Sequence, residues 1–452
     1  MVSSSKWIRI DRPFPLPTYV KRALEQLDRA GHLAYLVGGS VRDFLLRREP
    51  KDHDIATSAT PDEIQELFLD AVTVGKAFGV LKVPVREVDV PPLEIASFRE
   101  DLEYEDHRHP KQIKLSGPAE DAARRDFTVN ALFYDPKSGR ILDTVGGVDD
   151  LKNGVIRAIG VPNERFREDA LRLLRAIRLS VALGFGIEKA TSEALKKHAR
   201  LITRISFERV RDELTLLFLG PHPDRGLLAL HEYGLLNYVL PELESLRKLK
   251  AEGDPWKHTL RVVARVAQLN PHRSEALAWA SVLHDIGKPI VFRKTGGKSF
   301  QNHELESAEA VREVGIRLKF SSEQVARTAA IVGDHLKFRG AFQMREATLQ
   351  RFIREPHFEE LLAFHGADAT VSDGNLAAYE FCHSRWLEMK AKGKSADLKS
   401  MKLVDGKDLI QMGFSPGPEF SGILRKIDDL TLEGKLTTKD EALEYVLRNF
   451  VE

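Results

Sequence analysis

The chain has 452 residues, 42% hydrophobic and 30% charged, a composition of water-soluble globular proteins with length for about three domains. Its single cysteine, Cys382, excludes an internal disulfide framework and fits a reducing compartment. With 68 basic and 67 acidic residues the net charge is only +1, so overall charge announces no nucleic-acid partner, and no apolar run is long enough to span a bilayer. The opening MVSSSKWIRIDRPFPLP lacks the apolar core of a signal peptide, and a cytoplasmic location with no membrane partner is expected.

Up to about residue 150, short β-type runs (LAYLVGG, FGVLKVPV, LEIASF) mix with helical patterns such as PDEIQELFLDAV, predicting an α+β domain on one mixed sheet. Leu36 to Thr57 reads LVGGSVRDFLLRREPKDHDIAT: a strand, a turn at Gly38, Gly39 and Ser40, a short helix, then Asp52 and Asp54 around His53. Successive residues of a strand alternate faces, so the two aspartates point one way and His53 the other. Two converging carboxylates make a hard-oxygen site suited to Mg²⁺. A glycine turn at a helix start offers backbone N–H groups and the positive end of the helix dipole to phosphate. Either half alone is ordinary, since a Gly-Gly turn is usually only a turn and two spaced acids usually a solvated strand edge. Together they suggest metal-assisted transfer of a nucleotidyl group.

This segment resembles the nucleotidyltransferase signature of the DNA polymerase beta superfamily, and specifically the bacterial-type (class II) tRNA nucleotidyltransferase and poly(A) polymerase family. The resemblance implies a polymerase-beta-like head in which Asp52 and Asp54 hold two Mg²⁺ ions and Gly38, Gly39, Ser40 and Arg42 meet the triphosphate. Glu94, in LEIASFR, is the implied third carboxylate, with a surface glutamate on an edge strand as the plain alternative. RRDFTVNALFYD looks like the family's second motif, which contacts sugar and triphosphate through Arg124, Arg125, Asp126 and Asn130. FREDLEYEDHRHPKQIKL, residues 98–115, resembles the flexible loop used in switching from C to A addition, and GGVDDLKNGVIRAIG the hinge between head and neck. Poly(A) polymerases carry two basic residues before a Phe after the paired aspartates. In VGKAFGVLKV, Ala77 follows Lys76, which weighs against that activity.

From Asn163 onward strands disappear from the pattern: EDALRLLRAIRLSVAL, ATSEALKKHARLI and FERVRDELTLLFL carry apolar residues at helical spacing. Arg165, Arg167, Arg172, Arg175 and Arg178, followed by Lys196, Lys197, Arg200 and Arg204, form a basic stripe that can guide a phosphate backbone or simply be a solvated helix face. In EDALRLLRAIR, Asp169 and Arg172 are three apart on an expected helix and therefore neighbours. A carboxylate accepts and a guanidinium donates. Cytosine and adenine each offer an amino donor beside a ring-nitrogen acceptor, whereas uracil and guanine present the opposite polarity. The resemblance makes Glu168, Asp169 and Arg172 a protein template for C and A; the plain alternative is an intrahelical ion pair of small worth.

Further on, His258, His284 with Asp285 in LHDIGKP, His303, His335 and Asp368 reproduce the HD phosphohydrolase pattern. Imidazoles and carboxylates together suit Ni²⁺, Mn²⁺ or Zn²⁺ better than Mg²⁺. His258, His284, Asp285 and Asp368 are the implied ligands, with His303 and His335 available to a second ion, and phosphatase or 2′,3′-cyclic phosphodiesterase activity is implied. The end of the chain resembles the C-terminal region of HD-containing members. The expected architecture is a head (1–150), an elongated all-α neck with the nucleotide-selecting helix (151–222), an HD body (223–375) and a helical tail (376–452). The expected activity is addition of CCA to tRNA from CTP and ATP. An A-adding enzyme or poly(A) polymerase, and an HD hydrolase with a non-catalytic RNA-binding head, stand as the alternatives.

Overall fold

One strand pairing decides where the acidic residues of the first half sit. In the computed structural model, which describes residues 6–50, 52–73, 79–87, 90–104, 110–251, 253–392 and 403–450, the chain forms two compact units, 1–241 and 242–452. The first is built on strands β1 (Lys6–Arg9), β2 (Ala34–Val37), β3 (Asp54–Thr57), β4 (Val72–Thr73), β5 (Val80–Val83) and β6 (Leu93–Ser97). A ribbon, β7 (Arg99–Tyr104) and β8 (Pro110–Leu115), then precedes β9 (Leu132–Asp135) and β10 (Arg140–Asp143). The eight-stranded sheet runs β1-β10-β9-β2-β3-β6-β5-β4. Within it β3 and β6 are parallel, with Asp54 opposite Glu94, and the other pairings are antiparallel.

The sheet is therefore mixed, as expected, and LAYLVGG, FGVLKVPV and LEIASF supply β2, β5 and β6. Its core gathers Tyr35, Val37, Ala56, Phe98, Phe133 and Leu142, so the central strands are anchored by large apolar side chains. Two readings change. Asp52 lies just before β3 rather than on it, and residues 98–115, expected as a flexible loop, contain the antiparallel ribbon β7–β8 with Arg99 opposite Leu115. Residues 74–78 of VGKAFGVLKV lie outside the described residues.

After the sheet, Asp143 organises the turn into the Gly147–Asn153 helix. Its Oδ1 accepts the N–H groups of Val145, Gly146 and Gly147 (3.1, 2.8 and 3.0 Å), and its Oδ2 that of Val148 (2.9 Å). One carboxylate thus satisfies four backbone donors at a helix start, where N–H groups lack partners and the dipole favours negative charge. Helices Pro162–Glu168, Leu171–Leu183, Lys189–His198 and Phe207–Leu219 follow. The expectation of no strand after Asn163 has one exception, β12 (Gly186–Ile187), which pairs in parallel with β11 (Val155–Ile156).

In the second unit the described residues form helices without strands. Pro255–Leu269, Glu275–Leu283, His303–Arg317, Ser322–Asp334 and Phe358–Ser372 enclose a core in which fully buried Trp279 meets Phe320 edge-on at 5.1 Å. Three helices near the end pack around Leu409, Ile423, Ile427, Ala442 and Val446, and Arg351 ties them to the rest through Asp428 (2.7 Å) and Asp429. Asp143→Ala is expected to destabilise the first unit by about 2–3 kcal/mol, through loss of charge-assisted bonds to a helix start. The measurement is the urea midpoint of that unit's unfolding transition, and an unchanged midpoint contradicts the account.

Candidate functional site

The antiparallel pairing of β2 with β3 sets Val37 opposite Asp54, so the turn that follows Val37 lies beside the acidic end of β3. Gly38 adopts φ 75° and ψ −136°, a conformation that side chains with a Cβ disfavour. A Cβ built on Gly38 would lie 3.6 Å from Asp54 Oδ2 and one on Gly39 3.7 Å from Asp52 Oδ1, so bare backbone faces both carboxylates. Burial, with the charges of Asp52 and Glu94 beside it, pushes the Asp54 carboxyl up to about 7. Glu94 is the register partner of Asp54 but is half-exposed and paired with Lys82 at 3.0 Å. A carboxylate whose neighbouring acids outweigh its neighbouring cations suits a hard divalent cation.

Asp52 and Asp54 open into a cavity of about 450 Å³ lined also by Gly38, Gly39, Arg42, Arg125, Asp126, Asn130, Asp169, Arg172, Arg175, Arg178 and Leu179. Arg42 Nη1 donates to Asn130 Oδ1 at 2.7 Å. Asp121, buried under the cavity wall, accepts from both Arg124 (2.7 Å) and Arg125 (3.0 Å), which more than offset its burial and hold its carboxyl below the usual range. Burial alone would raise the Asp126 carboxyl, but the Arg175 guanidinium at 2.6 Å, Asn130 and the Phe127 N–H overturn that and hold it at about 2. Glu213 in turn binds Arg175 (3.3 Å) and Arg178 (2.6 Å).

Asp169 and Arg172 are both cavity-lining, but the helix does not run through them. The Pro162–Glu168 helix ends, Asp169 is extended (φ −140°, ψ 104°), and a new helix begins at Leu171. Asp169 Oδ1 accepts the Leu171 N–H at 3.0 Å, while Arg209 grips both carboxylate oxygens at 3.3 and 2.8 Å. Arg172 donates to Glu168 (2.8 Å) and to the carbonyls of Arg165 (3.0 Å) and Arg124 (3.2 Å). The intrahelical Asp169–Arg172 pair is thus replaced by two separate clamps. Ser40, Arg124, Glu94 and Glu168 are not among the lining residues: the Ser40 hydroxyl is buried and donates to Val37 O at 3.1 Å. Sequence reasoning missed Arg209 and Glu213, which come from one distant helix and carry no local motif.

In the second unit, His284 and Asp285 sit in the turn after Glu275–Leu283 and are fully buried. His284, His303 and His335 each place Nδ1 within 2.9, 2.9 and 2.6 Å of the carbonyl three residues earlier. A carbonyl only accepts, so each Nδ1 carries its proton and each Nε2 is turned inward. His284 Nε2 lies 3.3 Å and His303 Nε2 3.2 Å from Asp285, yet neither is aligned for a hydrogen bond. Buried ligand atoms aimed at a common space rather than at one another are what a shared ion requires. Two groups, His258 with His284 and Asp285, and Asp285 with His303 and His335, each keep their ligand atoms within 4.8 Å. Asp368 joins through His258 at 3.1 Å. Burial and the neighbouring His284 charge press His335 down to about 3, while His284, His303 and Lys288 overcome burial to keep Asp285 well below the usual carboxyl range.

Comparison with known proteins follows the same division. Residues 34–157 match the poly A polymerase head domain, 184–246 the probable RNA and SrmB-binding site of polymerase A, and 256–360 the HD domain. The CCA-adding enzyme of Lactobacillus helveticus is 32% identical over 430 residues, covering 94% of this chain and 95% of that protein. That of Streptococcus agalactiae is 32% identical over 448 residues, covering 96% and 98%. Among solved structures, the Bacillus stearothermophilus CCA-adding enzyme in complex with CTP superposes with a TM-score of 0.69 at 27% identity, over 94% of this chain and 95% of that one. The Thermotoga maritima CCA-adding enzyme complexed with tRNA shares the fold, with a TM-score of 0.57 at 20% identity over 96% of each. The chain belongs to the family of CCA-adding enzymes, the tRNA nucleotidyltransferases.

Proposed function

We propose that this protein adds C, C and A to the 3′ end of tRNA from CTP and ATP, in the cytoplasm and without a nucleic-acid template. The observation that supports it most is one cavity holding both the acidic pair Asp52/Asp54 and the acceptor–donor pair Asp169/Arg172. In this reading Asp52, Asp54 and Glu94 hold Mg²⁺, which when bound neutralises the triphosphate and acidifies the attacking 3′ hydroxyl in the two-ion arrangement. Arg42 and Arg125, with the Gly38–Gly39 backbone, meet the phosphates. Asp126 holds Arg175 and Asn130 in place at the sugar. Asp169 accepts from the amino group of C or A and Arg172 donates to the ring nitrogen; Arg209 and Glu168 fix their orientation. The head (1–150) and neck (151–222) thereby divide the reaction into phosphate handling and base choice, and an intact 98–115 segment favours addition of both C and A.

The test is extension of tRNA transcripts lacking CCA, lacking only A, and an unrelated RNA, with CTP, ATP or both, resolved to single nucleotides. Addition of C, C and A that then stops is expected. A alone or a long ladder makes the protein an A-adding enzyme or poly(A) polymerase, and no extension leaves it an HD hydrolase. Asp52→Ala and Asp54→Ala should each cut extension by about 1000-fold or more while leaving the fold intact by circular dichroism.

Asp54 also sets a pH dependence. Its carboxyl titrates near 7 in the fold and near 3.8 in an unfolded chain, so its contribution to metal-free stability is complete below about pH 4 and is lost as pH rises through 7. Metal-free protein should therefore melt lower at about pH 8 than at about pH 5.5, and Mg²⁺, which binds the deprotonated form, should remove most of the difference. Asp54→Asn should flatten the metal-free curve. Equal slopes for the two proteins contradict the assignment.

We further propose that the His/Asp cluster of the second unit is a metal-dependent phosphohydrolase centre, acting as a phosphatase or 2′,3′-cyclic phosphodiesterase on RNA ends. The unpartnered, buried Nε2 atoms of His284 and His303 support it. His258, His284, Asp285 and Asp368 would hold one ion and His303 and His335, sharing Asp285, a second; the imidazole-rich set favours Ni²⁺, Mn²⁺ or Zn²⁺. Elemental analysis after dialysis should find transition metal in the wild type and less than half as much in His284→Ala or Asp285→Ala. Unchanged content removes the centre.

A further inference from the structure

The second unit carries a cavity of about 480 Å³ to which neither reading assigns a role, lined by the helices Pro255–Leu269, Phe358–Ser372 and Ala377–Lys392. Its floor is Leu362, Ala363 and Gly366, where a Cβ on Gly366 would lie 2.9 Å from the Tyr379 ring, so glycine lets the aromatic helix approach. One wall is aromatic. Tyr379, His383 and Trp386, spaced four and three apart, share a helix face. Their rings are near-parallel: Tyr379 and His383 are 5.5 Å apart at 27°, His383 and Trp386 6.0 Å apart at 29°. Lys390 Nζ caps Trp386 at 3.8 Å and is itself bound by Glu359 at 3.3 Å. The other wall carries Arg265, whose Nη1 donates to Gln268 at 2.7 Å while its buried Nε makes no hydrogen bond.

We propose that this cavity is a subsite for one unpaired nucleotide of the RNA substrate, its base stacked on the His383 and Trp386 rings and its phosphate against Arg265. A planar aromatic ligand suits a wall of aligned rings, since every base has a π face and stacking does not require a particular sequence. A base inside a duplex has its faces covered by neighbours, so the occupant comes from a loop, bulge or single-stranded end. Among the described lining residues Arg265 is the one cation and Glu359, which also pairs with Lys390 at 3.3 Å, the one carboxylate, so the cavity offers a single guanidinium to a phosphodiester and too little positive charge for a nucleoside triphosphate. The inference rests on RNA being the substrate, as proposed above.

The experiment compares the wild type with His383→Ala/Trp386→Ala, His383→Phe/Trp386→Phe and Arg265→Gln in the full chain, by filter binding of a tRNA transcript lacking CCA and by extension kinetics. The alanine pair should weaken RNA binding and raise the RNA KM by about tenfold with kcat unchanged, and the phenylalanine pair, which keeps a stacking face, should stay within about twofold of the wild type. Arg265→Gln should reduce the slope of log affinity against log salt by about 1. Equal RNA affinity in the alanine pair and the wild type overturns the subsite, and so does an equal loss in both double variants. Quenching of Trp386 fluorescence by AMP or CMP with no change in RNA affinity overturns the RNA occupant in favour of a free nucleotide. A wild type that extends tRNA while the subsite variants behave like it sinks this inference alone; a wild type that binds no RNA sinks the proposed function with it.

Discussion

Like charge set beside one largely buried carboxylate, Asp54, is the constraint on which the first unit is arranged. Asp52, just before β3, and Glu94, the register partner on β6, add their charges to the burial of Asp54, and the cost shows in a carboxyl that holds its proton to about 7. Arg125 and Lys82 relieve it only in part, and the cavity's arginines are bound to other acids: Arg125 to Asp121, Arg172 to Glu168, Arg175 and Arg178 to Glu213. Asp121, Asp126 and Glu213, all buried, hold Arg125, Arg175 and Arg178 in the cavity and balance their charge. The acidic end is left hungry for cations while the opposite wall is rigid and basic, a polarity that suits a metal-bound polyphosphate.

The second unit meets the same constraint with different chemistry. Its acids, Asp285 and Asp368, are surrounded by imidazoles rather than guanidinium groups, and backbone carbonyls fix the tautomers of His284, His303 and His335. Phe364 packs on the rings of His284 and His335 at 5.3 and 5.8 Å, keeping the cluster in an apolar shell. Carboxylates in the first unit and backbone-oriented imidazoles in the second thus give one chain two donor sets of different chemistry.

Residues whose meaning is local were legible in the sequence. Gly38, Gly39, Asp52 and Asp54 fall within seventeen positions of one another, and Arg125, Asp126 and Asn130 in one short run, so spacing alone brought them to one cavity. Pairings that cross 35 to 49 positions, such as Arg178 with Glu213 or Arg175 with Asp126, leave no periodic trace. The break at Asp169 was hidden because apolar periodicity runs on through PNERFREDALRLLRAIR without glycine or an interior proline. Its cause is the aspartate itself, whose side chain caps the Leu171 N–H and reaches Arg209, the competition with helix that short acidic side chains offer. The ribbon β7–β8 was missed because REDLEY and PKQIKL lack the apolar alternation of a half-buried strand.

The lateral alignment of β3 with β6 separates two things that evolution can change. Thirty-nine residues lie between Asp54 and Glu94, yet their apposition is set by four consecutive backbone partners and not by that connection. The intervening chain is therefore free to lengthen, shorten or diversify, while sliding either strand by a single residue would turn Glu94 to the far side of the sheet. Variation in such a protein should accumulate in the connector and be absent from the phase of these two short strands.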